Sequence, residues 1–198
     1  DTEIYDPKTE SWRVMARQHN PRTYHNTAML LPDGRVLVGG HSPINTGYAY
    51  SLDLSALGLS PNQGRDPSFE LYSPPYMYAA NRPQITSAPS TTKLGESINI
   101  GTSGGNIKDV ILVKRTTLTH IIDGDQRTVV LPHTGSGTLT AKLPTQEGVL
   151  PPGSYMLFVI SEDAAGKRLP SVSVPIMVEG ADDRAVGCSV PAARVVKR

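Results

Sequence analysis

The segment Arg22-Thr23-Tyr24-His25-Asn26-Thr27-Ala28-Met29-Leu30-Leu31-Pro32-Asp33-Gly34-Arg35-Val36-Leu37-Val38-Gly39-Gly40 decides how the first part of this chain folds. It contains two short apolar runs joined by a Pro-Asp-Gly triplet. Proline presets φ, and glycine supplies the backbone freedom that a tight turn needs. The segment therefore predicts a β-hairpin, with Tyr24 and His25 at its entry.

The composition of the whole chain is typical of an all-β protein. Its 198 residues include 17 prolines and 18 glycines, which separate short runs rich in valine, isoleucine and threonine. No window shows the 3.6-residue apolar period of an amphipathic helix over three turns, so we expect very little helix. The length favours a division into two domains.

Charge and cysteine content exclude several classes of function. With 19 basic and 18 acidic residues, the net charge of +1 gives no electrostatic footprint for nucleic acid or an anionic membrane. No apolar run is long enough to span a membrane. The one cysteine, Cys188, excludes an internal disulfide and a four-cysteine zinc site, and we expect its thiol to be inert.

A repeat links two parts of the first 80 residues. The pattern Glu-aliphatic-Tyr-x-Pro begins at Glu3 and recurs at Glu70, 67 residues later. Repeats of this kind are typical of β-propellers, in which the kelch repeat has a period of about 50 residues. The surplus falls in residues 41–66, which are rich in Ser, Pro, Asn and Gly and predict a long loop.

The second half of the chain carries short apolar runs at regular intervals. These runs predict strands at 97–100, 110–114, 128–131, 138–143, 154–160 and 172–178. About seven short strands with turn signals every 8–12 residues are typical of an immunoglobulin-like sandwich. Residues 181–198 form a polar and basic tail, for which we expect a disordered or loosely packed extension.

Several motifs together resemble the copper radical oxidases, the galactose oxidase and glyoxal oxidase family. They are Tyr5-Asp6-Pro7, Trp12, the Arg-x-Tyr-His entry, the Leu-Leu-Pro-Asp-Gly-Arg-Val hairpin and Gly39-Gly40. The resemblance implies that residues 1–78 are the last kelch blades of a propeller and that 79–180 are a sandwich of the early-set type. A polar and basic tail, 181–198, follows them.

One and a fraction of a blade cannot bury both its faces, so the resemblance implies a partner. The partner is the remaining N-terminal blades, from the same precursor or from a separate chain. The chain opens on Asp1 in the middle of a motif, as a fragment or processed product would. By the same resemblance the protein is secreted or lies at the cell surface.

A second motif of this family lies within the sandwich. Thr119-His120, followed shortly by Asp125-Gln126-Arg127, is similar to a long family loop that delivers a histidine to copper. Spacing alone does not pair His25 with His120; the pairing rests on the resemblance. We expect Gln126 and Arg127 to stabilise the loop rather than to touch substrate.

The resemblance implies that Tyr24, His25 and His120 are ligands of one copper ion. Tyr24 is then the axial ligand and the catalytic base, and the histidines are equatorial. Copper(II) prefers imidazole nitrogens and oxygen donors in a tetragonal arrangement. A free tyrosine titrates near pH 10, and a nearby cation makes such a base available at neutral pH. Without the resemblance, a Tyr-His pair at a strand entry is an ordinary surface feature.

The chain departs from the family in one respect. No residue matches the tyrosine that is crosslinked to a cysteine as the Tyr-Cys radical cofactor, which must then come from the missing N-terminal portion. Trp12 is expected to pack rather than to stack over that cofactor. We interpret the remaining histidines as surface residues and the tyrosines near the proposed blades as packing aromatics: His19, His41 and His133, and Tyr48, Tyr50, Tyr76 and Tyr78.

Two hypotheses of function follow. In the first, the chain is part of a copper oxidase that converts a primary alcohol or small aldehyde with O2 and releases H2O2; alone it is inactive. In the second, the chain is a non-catalytic scaffold that binds carbohydrate or another protein. Propellers and sandwiches host both kinds of function.

Overall fold

The computed structural model describes residues 1–7, 9–20, 22, 25–40, 68–119 and 122–180. Within these ranges the chain is all-β, with a single turn of 3₁₀ helix at Pro75–Tyr78 and no α-helix. The prediction of an all-β chain with very little helix is confirmed. The long loop at 41–66, the tail at 181–198 and Cys188 lie outside the described residues.

The described strands are numbered in chain order. They are β1 (Glu3–Asp6), β2 (Ser11–Val14), β3 (Thr27–Leu30), β4 (Val36–Gly39), β5 (Phe69–Tyr72), β6 (Gln84–Ser87), β7 (Thr91–Lys93), β8 (Ser97–Ser103), β9 (Asn106–Lys114), β10 (Leu118–Thr119), β11 (Ile122–Asp123), β12 (Thr128–Leu131), β13 (His133–Ser136), β14 (Thr138–Lys142), β15 (Gly153–Glu162), β16 (Arg168–Pro170) and β17 (Val174–Glu179).

The predicted hairpin forms around the Pro-Asp-Gly turn. The Leu31 N–H donates to the Arg35 carbonyl at 2.8 Å, and the Gly34 N–H donates to the Leu31 carbonyl at 2.9 Å. Gly34 has a φ of +95°, a region that residues with a side chain rarely enter. Strand β5 pairs with the other edge of β4, which gives a three-stranded sheet in the order β3-β4-β5.

The first strands, β1 and β2, form a separate antiparallel ribbon. Its aromatic pair, Tyr5 and Trp12, has ring centroids 5.0 Å apart. Trp12 nevertheless remains 66% exposed, so in this chain it packs only partly, as far as the described residues show. The interpretation of Tyr78 as a packing aromatic is wrong for the described part of the chain, because this residue is 81% exposed.

Two sheets make the sandwich that follows. One has the order β12-β9-β15-β17-β7, with β16 paired to β15, and the other has the order β13-β14-β8-β6. Buried apolar residues alternate with less buried or exposed ones along β8, β12 and β14, and the buried side faces the core. The shared core contains Ile98, Ile100, Val110, Leu112, Val129, Leu131, Leu139, Ala141, Leu143, Leu150, Tyr155, Leu157, Val159, Ile176 and Val178.

Strand β15 lies at the centre of the larger sheet. It pairs with both β9 and β17, and the residues from Tyr155 to Val159 are all buried. A strand that is buried on both faces is continuously apolar, which is why this run was easy to predict. The Tyr155 hydroxyl donates to the Pro151 carbonyl at 2.6 Å, so its polar atom is satisfied within the core.

Candidate metal site

Of the three predicted ligands, the structure describes one. Tyr24 and His120 lie outside the described residues, whereas His25 lies at the entry of the hairpin with its side chain exposed. His25 has a φ of +52°. This left-handed conformation is uncommon for a residue with a side chain and often marks a turn or a functional position.

Gly40 faces His25 across the mouth of the hairpin. Thr27 pairs with Gly39, so the segment that follows His25 lies next to the segment that precedes Gly40. A Cβ on Gly40 would lie 2.5 Å from the His25 carbonyl oxygen, and Gly40 itself has a φ of +76°. Only glycine therefore fits here, and the close approach fixes the backbone of His25.

Arg22 contacts the same end of the hairpin. Its side chain is 1% exposed, and its guanidinium donates to the carbonyls of Gly40 at 3.3 Å and Ser68 at 3.1 Å. It also forms an ion pair with Glu70 at 3.2 Å. The His19 N–H, which donates to Glu70, is the main reason that the pKa of Glu70 lies below its usual value, and Arg22 lowers it further. Arg22 thus joins the end of β4 to the start of β5.

The strands that flank His120 in sequence, β10 and β11, pair with each other. Leu118 pairs with Asp123, and Thr119 pairs with Ile122. The Asp123 carboxylate accepts hydrogen bonds from the Thr117 N–H at 3.0 Å and from the Asp125 N–H at 3.0 Å. Aspartate folds its own local backbone in this way in many turns.

A second carboxylate, that of Asp125, ties this hairpin to the sandwich. It accepts from the Thr117 hydroxyl at 2.9 Å and from the Lys114 ammonium at 3.1 Å. The Thr117 hydrogen bond and then Lys114 hold the pKa of Asp125 below its usual value. Gln126 and Arg127 support the loop only through their backbones in the described contacts: the Gln126 N–H donates to Asp123, and the Arg127 carbonyl accepts from Lys114.

The two hairpins lie side by side. Cα atoms of β10 lie within 8 Å of Cα atoms of β3. His120 directly follows Thr119, the last residue of β10, and His25 precedes Thr27, the first residue of β3, by two positions. Segments that are about a hundred positions apart in sequence thus come together next to two of the predicted ligands.

The donor set suits copper. Two imidazoles and a phenolate are ligands that copper(II) accepts. Beside His25, the buried Asn26 Oδ1 and Thr27 Oγ1 have no hydrogen-bond partner among the described residues, so the hairpin entry has polar atoms that can support a ligand. No group of three or more His, Cys, Asp or Glu side chains elsewhere in the described ranges could hold a metal ion.

The histidines outside the proposed ligand set differ in their exposure. His19 is exposed, as predicted, and His133 is half-buried in β13, while His41 lies outside the described residues. Arg22 and Asp125 belong to motifs identified in the sequence, but the sequence assigned neither of them the contacts found here. Asp123 was missed, although Asp-Gly-Asp after a short apolar run is typical of a turn that closes on an aspartate.

Residues 82–178 match the family model of the galactose oxidase-like early set domain. This range contains the strands of the two large sheets except for Glu179, the last residue of β17. No helix of the described residues is long and apolar enough to cross a membrane.

Curated relatives and a solved structure agree with this match. The chain is 31% identical over 184 residues to a galactose oxidase of Gibberella zeae, and the match covers 89% of this chain and 24% of the relative. It is 32% identical over 157 residues to the aldehyde oxidase GLOX of Vitis pseudoreticulata, which covers 71% of this chain and 28% of that protein. The chain therefore spans about a quarter of the length of these relatives.

One similar solved structure is a fungal alcohol oxidase of the AA5 family in complex with copper. The TM-score is 0.68 at 26% identity, over 89% of this chain and 35% of that one. The covered share of this chain is larger than the 97 residues of the early set domain. With the family model and the two curated relatives, this structure shows that the chain belongs to the galactose oxidase and glyoxal oxidase-like family.

Proposed function

We propose that this chain is the C-terminal portion of a copper radical oxidase. The protein oxidises a primary alcohol or a small aldehyde with O2 and releases H2O2. For an alcohol, the substrate loses two electrons and two protons to become an aldehyde, and dioxygen gains both to become hydrogen peroxide. The relatives named above include galactose, aldehyde and alcohol oxidases, which supports the reaction class.

Three residues of this chain would hold one copper ion. His25 and His120 would each supply an imidazole nitrogen, and Tyr24 would supply its phenolate oxygen. The observation that carries this assignment is the approach of β10 to β3, because His120 and His25 flank those strands. The ion, when bound, supplies a one-electron redox partner and lowers the pKa of its ligands.

The chain's own residues then bind and orient the substrate and move its proton. Tyr24, as phenolate, accepts the hydroxyl proton of the substrate. Gly40 packs against the backbone of His25, and Arg22 bonds to the Gly40 carbonyl, so both help to hold His25 in place. Orientation of this kind contributes to the rate because the reacting groups are held close together before the reaction.

The proposed organisation of the chain follows the family. Residues 1–78 are the C-terminal part of a kelch propeller, 79–180 are the early-set sandwich, and 181–198 are a polar tail. The remaining N-terminal blades, in the same precursor or a separate chain, supply the other ligand and the Tyr-Cys cofactor. The protein is secreted or lies at the cell surface.

Metal analysis of the intact natural protein that contains residues 1–198 tests the proposal. We expect one copper per protein and peroxide production from a primary alcohol or a glyoxal-type aldehyde. His25→Ala and His120→Ala should each abolish copper retention, whereas His19→Ala, a change at an exposed histidine, should not. Bound copper without peroxide on either substrate class would leave the scaffold role as the function. Copper retained in both histidine variants would show that the ligand assignment is wrong.

A further inference from the structure

Arg82 connects the hairpin to the sandwich. Its guanidinium donates to the Asp33 carbonyl at 2.7 Å, in the turn between β3 and β4. It also donates to the carbonyls of Pro170 at 2.7 Å and Ser171 at 2.9 Å, at the end of β16. One side chain thus bridges segments that lie 49 and 89 positions from it in sequence.

Neighbouring contacts close the same junction. The Arg82 guanidinium lies 5.8 Å from the centre of the Tyr76 ring, and the Tyr76 hydroxyl donates to the Gly34 carbonyl at 2.5 Å. The Ser173 N–H donates to the Pro32 carbonyl at 2.8 Å. We call this set, formed by Pro32, Asp33, Gly34, Tyr76, Arg82, Ser171 and Ser173, the turn clamp.

The side chain suits its task. A guanidinium is planar and has five N–H donors in a fixed arrangement, so it can satisfy several carbonyls at once. Lysine has one flexible point charge and cannot reach these acceptors together. Because the acceptors are backbone carbonyls, these hydrogen bonds fix the position of the main chain and not only that of side chains.

The turn clamp lies at one end of the hairpin, and His25 lies at the other. At a rise of about 3.3 Å per residue, the six residues between His25 and Pro32 span about 20 Å. The sandwich held by the clamp is continuous in sequence with β10, which lies near β3. A small rotation of the hairpin about its turn would consequently change the position of His25 relative to β10.

We infer that Arg82 is a positioning residue of the proposed metal site: it fixes on the sandwich the hairpin that carries His25, and thereby sets the position of His25 relative to β10, the strand that precedes His120 in sequence. The inference rests on the proposed function, because it needs His25 to be a ligand. Arg82 makes no described contact with His25, and it acts through Asp33 and the strands that flank the turn.

Copper titration of the intact natural protein tests the inference, with Arg82→Met as the variant. Arg82 acts through the intervening strand, and substitutions that act at such a distance typically change a coupled binding equilibrium by about 2- to 30-fold, so we expect a loss of copper affinity in this range. The electron paramagnetic resonance spectrum of bound copper should change as well, because the ligand geometry changes. Hydrogen exchange at the Ser173 amide, which bonds across the junction, should become faster.

Arg168→Met is the matched control. Arg168 is also partly buried, but it pairs with Asp109 and Glu162 inside the sandwich and makes no described contact with the hairpin. Its removal should lower the stability of the sandwich without changing the copper spectrum. Arg82→Lys should retain only part of the copper affinity, because lysine keeps the positive charge but lacks the planar arrangement of N–H donors.

The outcomes separate the inference from the proposed function. If the unsubstituted protein binds no copper, the proposed function is wrong and the inference falls with it. If the unsubstituted protein binds copper and Arg82→Met has the same affinity and the same spectrum, only the inference is wrong. Should Arg82→Met fail to fold, Tyr76→Phe removes a single hydrogen bond of the turn clamp. That variant should still shift the copper spectrum, and an unchanged spectrum would overturn the inference.

Discussion

Two arginines, Arg22 and Arg82, organise the chain around the candidate site at the scale of single residues. Each directs its guanidinium at backbone carbonyls from distant parts of the sequence. A buried guanidinium must find partners for its donors. Leaving it buried and unpaired lowers the stability of the fold by on the order of several kcal/mol. Both sets of contacts therefore depend on the folded chain. Arg22 belongs to a motif seen in the sequence, but the acceptors of neither arginine could be identified from its sequence neighbours.

Replacing Arg22 by Met should destabilise the protein. The change removes the hydrogen bonds to Gly40 and Ser68 and leaves Glu70 without its cation. A loss of about 2 kcal/mol in the free energy of unfolding is expected from charge-assisted bonds of this kind. Chemical denaturation of the intact protein measures it.

Arg17→Met is the control for that substitution. The Arg17 side chain is 87% exposed and lies 4.0 Å from the Asp1 carboxylate. Its removal should change the free energy of unfolding by no more than about 0.5 kcal/mol. Equal effects of the two substitutions would show that the buried contacts of Arg22 carry no special stability.

The hairpin β3-β4 is the element on which the candidate site depends. Its two ends have different tasks, because the turn is held to the sandwich and the open end holds His25 against Gly40. The two adjacent glycines, Gly39 and Gly40, have different surroundings in the structure. A Cβ on Gly39 would meet Phe69 Cβ at 3.4 Å, a tight but tolerable contact, whereas one on Gly40 would collide with backbone.

Gly40→Ala should therefore be far more costly than an ordinary glycine substitution. Gly137 has a φ of +72°, similar to the +76° of Gly40, but nothing lies within 4 Å of its Cβ position. Gly137→Ala should cost about 1 kcal/mol from the left-handed backbone alone. Gly40→Ala should cost about 1–3 kcal/mol more from overpacking against His25.

Thermal unfolding of both variants measures the difference, and copper titration provides a second readout. Only Gly40→Ala should weaken copper binding, since only this change displaces the backbone of a proposed ligand. Comparable stability and copper affinity in the two variants would contradict the close approach of Gly40 to His25.

The strands that could be predicted are those with a strong apolar pattern. β12 was predicted to the residue, and β9, β14 and β15 to within a few positions, since each has one or both faces buried in the core. Strands β6 and β13 were missed because they are short, mostly polar and largely exposed. Their pairing is decided by neighbouring strands and not by their own composition.

The site was predictable only in part and for a different reason. Tyr24, His25 and His120 were recognised by resemblance to a family, since no local rule connects residue 25 to residue 120. The approach of β10 to β3 and the contacts of Arg82 are long-range features of the folded chain. Chemistry at the level of residue types could suggest copper, but only the fold brings the two hairpins together.

Burial is uneven over the molecule as a whole. Every buried hydrophobic side chain among the described residues belongs to the part from Ile98 onward. Residues 1–78 instead expose large apolar groups, which include Trp12, Val14 and Phe69. Small β-units that expose such surface depend on neighbouring units for their stability.

The proposed sandwich should consequently fold without the first 78 residues. A chain of residues 79–180 keeps the entire core and should unfold in one cooperative thermal transition. Residues 1–78 alone should show no cooperative transition. Differential scanning calorimetry of the two fragments distinguishes these outcomes, and a cooperative transition in the first fragment would show that the ribbon and the three-stranded sheet are stable by themselves.

The parallel pair of β7 and β17 bears on how this sandwich is made during protein synthesis. Thr91 and Thr92 of β7 lie beside Met177 and Val178 of β17, and every other described strand pair is antiparallel. On the ribosome, β7 emerges long before β17. The edge of the larger sheet that β7 forms therefore cannot pair until β17 has been synthesised. Because long-range pairing forms late, the last steps of folding follow translation of Glu179.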